Sequence, residues 1–274
     1  MGFITLQALI TLKIGMDDIM EDDTVLNVKE NVTQQEWQMR VDLAACYRLI
    51  ALYGWDDLVF THISARVPDT EDEFLINPYG LLFEEITASS LVKVNQAGEK
   101  ILSSGYDINP AGFTIHSAVH EARSDAHCVV HLHTSDGVAV STQMQGLLPI
   151  SQQSLFPLSN LAYHDYEGVA LNPEEKVRLV ADLGDANFMI LRNHGLLTCA
   201  STVADAFLFM YIMQKACEVQ IKAQSGGNDL IRIPSQILAG IQAASKEVTK
   251  EANGAIAWPA LLRKLRRIDS SFED

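Results

Sequence analysis

Apolar and polar positions switch between helical and strand periods along this chain, and the switches mark its elements. Residues 1 to about 32 read as an extension. Thr33-Gln34-Gln35-Glu36 then has the form of a capping box, in which a hydroxyl and a carboxylate satisfy helix-end amides. The helix it opens runs to about Tyr53, where Gly54 stops it. Asp57 to Arg66 and Phe74 to Asn77 read as strands, bounded by Pro68-Asp69 and Pro78-Tyr79-Gly80. Leu91 to Val94 is a further short strand. Pro110 opens a helix through about Arg123. His127 to His133 is the next strand, with a helix over Asp136 to Gln145 and another from Pro173 to just before Gly184. Phe188 to Arg192 is a strongly apolar strand that ends at Asn193-His194-Gly195. A long helix spans about Val203 to Gln224, and the remainder reads as a helix with a loosely packed tail. The alternation predicts an α/β class, a three-layer α/β/α arrangement with a central mixed sheet covered by helices. The expected division is an extension over 1–32, a main domain over 33–228 and a C-terminal extension over 229–274.

Charge narrows the partners. With 35 acidic and 20 basic residues the formal net charge is −15, which disfavours nucleic acid and anionic membrane over most of the surface. The one basic run, Arg263 to Arg267, reads as a solvated helix face, with a docking tail as the sharper alternative. Residues 2–15 are fairly apolar but are followed by Asp17, Asp18, Glu21, Asp22 and Asp23 and have no basic lead, a poor pattern for a signal peptide or a membrane span. Met16 and Met20 are alternative starts to Met1. Four cysteines without C-x-x-C spacing (Cys46, Cys128, Cys199 and Cys217) read as reduced, mostly buried thiols of a cytoplasmic protein.

Chemistry concentrates on histidines. In His131-Leu132-His133 the two imidazoles, two apart on a strand, point to one face, while Val130 and Leu132 go to the other. Neutral imidazole is a common ligand of zinc, iron and other late divalent metals. His194 would supply a third ligand and leave open positions, as catalytic sites require. Spacing alone leaves this reading level with one in which the three are ordinary half-buried histidines.

Longer segments carry a resemblance. Phe60-Thr61-His62-Ile63-Ser64-Ala65-Arg66, Leu75-Ile76-Asn77-Pro78-Tyr79-Gly80, His131-Leu132-His133-Thr134 and Arg192-Asn193-His194-Gly195 occur in the order seen in the class II aldolase/adducin family. The chain resembles that family over about residues 35 to 225. Leu81 to Lys93, Ala111 to Ala118 and Ala162 to Gly168 are similar to its adducin-like branch, whose head domain is a cytoskeletal module. The resemblance implies one divalent metal on His131, His133 and His194, zinc first, manganese or iron as alternatives. It also implies a homo-oligomer, a dimer or tetramer, with a small-molecule substrate.

One departure changes the expected chemistry. The family's sugar-phosphate aldolases open the helix before the paired histidines with Ser-Ser-Glu, where this chain has Pro110-Ala111-Gly112. The phosphate hydroxyls are absent, and Gly112 offers no general base. Decarboxylation suits what remains, because losing CO2 leaves a carbanion without proton abstraction; retro-aldol cleavage would need a base from elsewhere. The expected function is thus a metal-dependent lyase on a small hydroxy- or oxo-acid. The alternatives are a non-catalytic adducin-like metal-binding module and a non-haem iron oxygenase on the same scaffold. Lacking any long basic tail after the head-like region, the sequence reads as a free-standing metabolic protein. Tyr166 and His62 are the catalytic candidates, and Asn77, Gly80 and Ser64 the substrate-binding ones. His116, four residues before His120 on a helix face, is a candidate for orienting a metal-ligating imidazole. Each has a plainer reading, as turn, packing or subunit-contact residue.

Overall fold

The computed structural model describes residues 27–168, 173–249 and 253–274. The extension expected over 1–32, including the alternative starts, lies outside them up to residue 26.

Helix α1 (Gln34–Leu52) begins where expected, with the Thr33 hydroxyl accepting from the Glu36 amide at 3.1 Å. The other half of the capping box is absent. Glu36 instead accepts from buried Arg40 at 3.0 Å and from Lys93 at 3.0 Å, pairs that a buried carboxylate needs more than a helix end does. Gly54 follows with φ +68°. Strands β1 (His62–Arg66), β2 (Glu73–Ile76) and β3 (Val92–Asn95) form an antiparallel meander. Helix α2 (Pro110–Ala122) leads to β4 (Cys128–Leu132), which pairs antiparallel with β1. Helices α3 (Ser135–Ser141) and α4 (Gln152–Leu158) precede β5 (Leu161–His164). Helix α5 (Pro173–Leu183) then crosses to β6 (Phe188–Leu191), which lies parallel to β5. Strand β7 (Gly195–Ala200) follows, then α6 (Val203–Ser225), α7 (Ser235–Thr249) and α8 (Trp258–Ile268).

The seven strands form one mixed sheet in the order β3-β2-β1-β4-β7-β6-β5. Each face is apolar, as a sheet covered on both sides requires. Ile63, Val130, Leu132, Ile190 and Leu196 face a core shared with α1 and α6, while Val129, Met189, Leu197 and Cys199 face α2 and α5 through Ile115, Val119, Leu179 and Leu183. The three-layer α/β/α class is thereby confirmed.

Several elements depart from expectation, and β1 starts at His62 rather than Asp57. Strands β5 and β7 and helix α4 were not anticipated, and α3 stops at Ser141 rather than near Gln145. The tail is not loose. Phe272 is fully buried, its carbonyl accepts from the Ala88 amide at 3.0 Å, and Asp274 accepts from Ser89 at 2.8 Å. Trp258 donates to Asp42 at 2.8 Å. The basic run lies on α8, where Leu265 is buried, Arg266 pairs with Glu273 at 2.7 Å and Lys264 sits over the Tyr53 ring. That is the solvated helix face. All four cysteines are buried and unbridged, and burial pushes the Cys199 thiol up to about 11 and Cys217 up to about 12.

Candidate metal centre

The sheet places His131 on β4 facing α2, on the same side as Val129, as strand alternation demands. His133 lies just beyond the strand end. His194 arrives from the turn between β6 and β7, which is sharp because Asn193 adopts φ +56°. Gly195 has a different role from the one its neighbour plays. A Cβ there would sit 2.5 Å from the Leu132 carbonyl oxygen, so glycine is what lets β7 close against the end of β4.

The three rings converge, each pair with centroids 4.8 Å apart. One ligand atom from each lies within 4.8 Å of the others, and no other such His, Cys, Asp and Glu group occurs among the described residues. His131 Nδ1 donates to the Leu196 carbonyl at 3.0 Å, and His133 Nδ1 donates to Asp57 at 3.0 Å. Both partners can only accept, which leaves each neutral ring a bare lone pair on Nε2. Those two Nε2 atoms face each other at 3.0 Å. A hydrogen bond between them would need a protonated ring. Burial, then the neighbouring His194, hold His131 well below the usual imidazole range. Burial and His133 likewise push His194 down to about 4. Two lone pairs set this close repel unless a proton on one ring or a metal ion lies between them. A metal at about 2.0–2.1 Å from each nitrogen in tetrahedral array would set the nitrogens roughly 3.3 Å apart, close to the 3.0 Å between His131 and His133. The donor set fits a divalent metal of the zinc type.

The centre opens on a cleft of about 500 Å³. Its walls include Asp57, His62, Tyr79, Gly112 and Tyr166, with no lysine or arginine among the described residues. His62 is directly across the strand pair from His131, with ring centroids 6.4 Å apart. It is 4% exposed, both ring nitrogens lack partners, and burial pushes it down to about 3. Tyr166 is exposed at the cleft mouth, 6.3 Å from the His194 ring.

Other expected site residues lie elsewhere. Asn77 and Ser64 are buried behind the cleft wall. Asn77 is turned inward by Tyr47, whose hydroxyl is 2.9 Å from Asn77 Oδ1 and accepts from the Asn77 amide at 3.2 Å. Ser64 sits between His116 and His120, 2.6 and 2.7 Å from their rings. Gly80 has φ +104°, but the neighbouring Tyr79 amide is spent on the Asp107 carbonyl, which weakens the expected anion-binding turn. His116 meets Ser64 rather than a ring of the triad; the residues that orient His133 and His131 are Asp57 and Leu196. Asp57 is 76 positions from His133, and Leu196 acts through its backbone, so neither left a local signal.

A mixed sheet covered by helices, with a three-histidine centre at one end of its middle strands, defines a class of α/β protein. The family follows from comparison. Residues 41–221 match the class II aldolase and adducin N-terminal domain model, and the chain belongs to this family. A Pseudomonas aeruginosa protein that carries a provisional class 2 aldolase name is 66% identical over 242 residues, covering 87% of this chain and 93% of its own. Mouse alpha-adducin is 43% identical over 231 residues, 81% of this chain but 31% of the adducin. The structure of an aldolase II superfamily protein from Pseudomonas syringae superposes with a TM-score of 0.86, at 49% identity, over 90% of this chain and 99% of that one. An L-fuculose 1-phosphate aldolase from Glaciozyma antarctica gives 0.73 at 27% identity, over 90% and 96%. No helix among the described residues is long and apolar enough to cross a membrane.

Proposed function

We propose that this chain is a divalent-metal-dependent lyase that cleaves or decarboxylates a small hydroxy- or oxo-acid. His131, His133 and His194 hold the metal, zinc by preference, with manganese or iron as alternatives. The reading is carried by the facing Nε2 lone pairs of His131 and His133 beside an open cleft. When bound, the metal supplies Lewis-acid stabilisation to a substrate oxygen on which negative charge develops. Leu196 and Asp57 fix the tautomers of the ligand rings. Tyr166, at the mouth, is placed to give a proton to a product carbanion. Ile115 and the buried His62 make the inner wall and keep bulk water from that side.

A sugar phosphate is disfavoured by the same cleft. Phosphate recognition uses arginine, lysine, hydroxyls or free helix-end amides. The α2 end offers Pro110, which has no amide, and an Ala111 amide taken by the Asn109 side chain at 3.0 Å, so the Gly112 amide and the Tyr79 and Tyr166 hydroxyls are what the described wall offers a phosphate. We further propose a cytoplasmic homo-oligomer, dimer or tetramer. The 43% identity with an adducin favours, as second reading, a module that keeps the metal without catalysis. The test is zinc-, manganese- or iron-loaded protein with a panel of hydroxy-acids, oxo-acids and sugar phosphates, following CO2 and aldehyde release. Turnover of an acid that His133→Ala abolishes is expected. Turnover of sugar phosphates alone would contradict the reading, and metal without any turnover would favour the module.

A further inference from the structure

Pro110-Ala111-Gly112 gives the cleft wall no proton-handling side chain, but a buried carboxyl group lies next to the cleft. Beside it is a second, much smaller cavity of about 10 Å³. Ile115, Tyr166, Gly168 and His194 border both spaces, so the cavity adjoins the cleft on the His194 side. His164, at the end of β5, and Glu175, in the first turn of α5, also line it. These two are only 4% and 6% exposed.

The Asp182 carboxylate accepts from His164 Nδ1 at 2.7 Å, which fixes the ring. His164 Nε2 then lies 3.8 Å from Glu175 Oε1, too far for a hydrogen bond. His164 Nε2 and Glu175 Oε2 are both buried without partners, an arrangement that costs stability unless a water joins them. A buried water needs roughly 10–15 Å³ and two or more polar partners, and this cavity supplies both. Burial pushes the Glu175 carboxyl above the ordinary glutamate range, against the pull of His164; Glu167 pushes it further up and Arg178 opposes. Those last two are paired with each other at 2.5 Å.

The structure assigns to His164 and Glu175 the proton traffic that residue 112 cannot handle: through one water, the pair takes the hydroxyl proton of a hydroxy-oxo-acid in the cleft and returns a proton to the enolate carbon. The assignment rests on the lyase reading above and narrows it to aldol-type cleavage. The carbon–carbon electron pair becomes the enolate, an aldehyde or ketone leaves, and the proton given back replaces the one taken, so none is gained or lost. Both residues act through the water and are positioning residues; they share a proton as a coupled pair.

The test has two arms. In metal-free protein with ¹³C-labelled glutamate carboxyls, assigned through Glu175→Gln, NMR follows the titration of Glu175. His164→Gln removes the group that pulls this titration down, so it should move up by about one pH unit or more; an unmoved titration overturns the pair. Zinc-loaded protein in D2O is then given pyruvate, whose methyl protons exchange by way of the enolate. Exchange faster than with zinc alone is expected. In Glu175→Gln it should fall about 100-fold or more, as when a general base is lost, with zinc content and pyruvate affinity unchanged. Glu175→Asp, which keeps a carboxyl, should recover part of it. Undiminished exchange in Glu175→Gln, or no exchange in zinc-loaded parent, overturns the proposal. Protein that takes up no zinc overturns the metal reading, while the carboxyl titration still decides the pair.

Discussion

His62 and Gly112 are a steric pair, and their coupling is measurable. Gly112→Ala forces its methyl into the imidazole, and overpacking of this kind costs about 1–3 kcal/mol. Adding His62→Ala should recover much of that loss, so a double-mutant cycle in urea should show strong coupling; additive effects would separate the two residues. His120 sets a pH dependence. Its folded pKa is pushed down to about 3 by burial and then Arg66, while an unfolded histidine titrates near about 6.5. Below that pH the unfolded chain takes up a proton that the folded chain refuses. The contribution of His120 is therefore complete above about pH 6.5 and declines as pH falls, by up to about 1.4 kcal/mol per pH unit, until the folded pKa is reached. Urea midpoints between pH 7 and pH 5 should drop less steeply in His120→Gln than in the parent. Asp57 belongs to the same scale. Removing the partner of a ligating histidine typically weakens metal affinity about 10- to 100-fold, and Asp57→Ala should do so in a chelator competition with the fold retained.

At the scale of elements, the packed C-terminus is the clearest departure from the sequence pattern. Phe272 is fully buried beside α1, and the last residues bond the backbone at Ala88 and Ser89. Phe272→Ala should cost about 3–5 kcal/mol, as buried aromatic truncations do; a loss under about 1 kcal/mol would return the segment to a loose tail. Segments with clear punctuation were legible. Thr33 and Gly54 bracket α1, Pro110 opens α2, and Gly226-Gly227 follows α6. The missed elements are short or unpatterned, even α4, which opens on a capping box between Ser151 and Ser154. Strand β7 is buried at every position, so no alternation shows, and it follows an apolar strand after only three residues. Strand β5 has four residues, and α4 has seven with Pro157 inside it. The pairing of distant elements, not local preference, makes these three.

At the scale of the whole molecule, the sheet order is what builds the centre. It sets β1 beside β4 and β4 beside β7, so His62, His131 and the Leu196 carbonyl meet from three separated stretches of sequence. The convergence of the three histidines was legible because two of them share one strand end and the third sits in the Asn193-His194-Gly195 turn. Its supports were not, because a backbone carbonyl and an aspartate 76 positions away leave no motif. The substrate-side expectations for Ser64 and Asn77 failed for a related reason. Their segments are in the right place, but α2 covers Ser64 through His116 and His120, and Tyr47 turns Asn77 into the protein interior. Elemental analysis of purified, tag-free protein beside the His131/His133/His194→Ala triple variant tests the centre most directly. The account predicts about one divalent metal per chain in the parent and none in a folded variant. No metal in the parent after reloading with zinc, manganese or iron, or the same stoichiometry in both proteins, would contradict it.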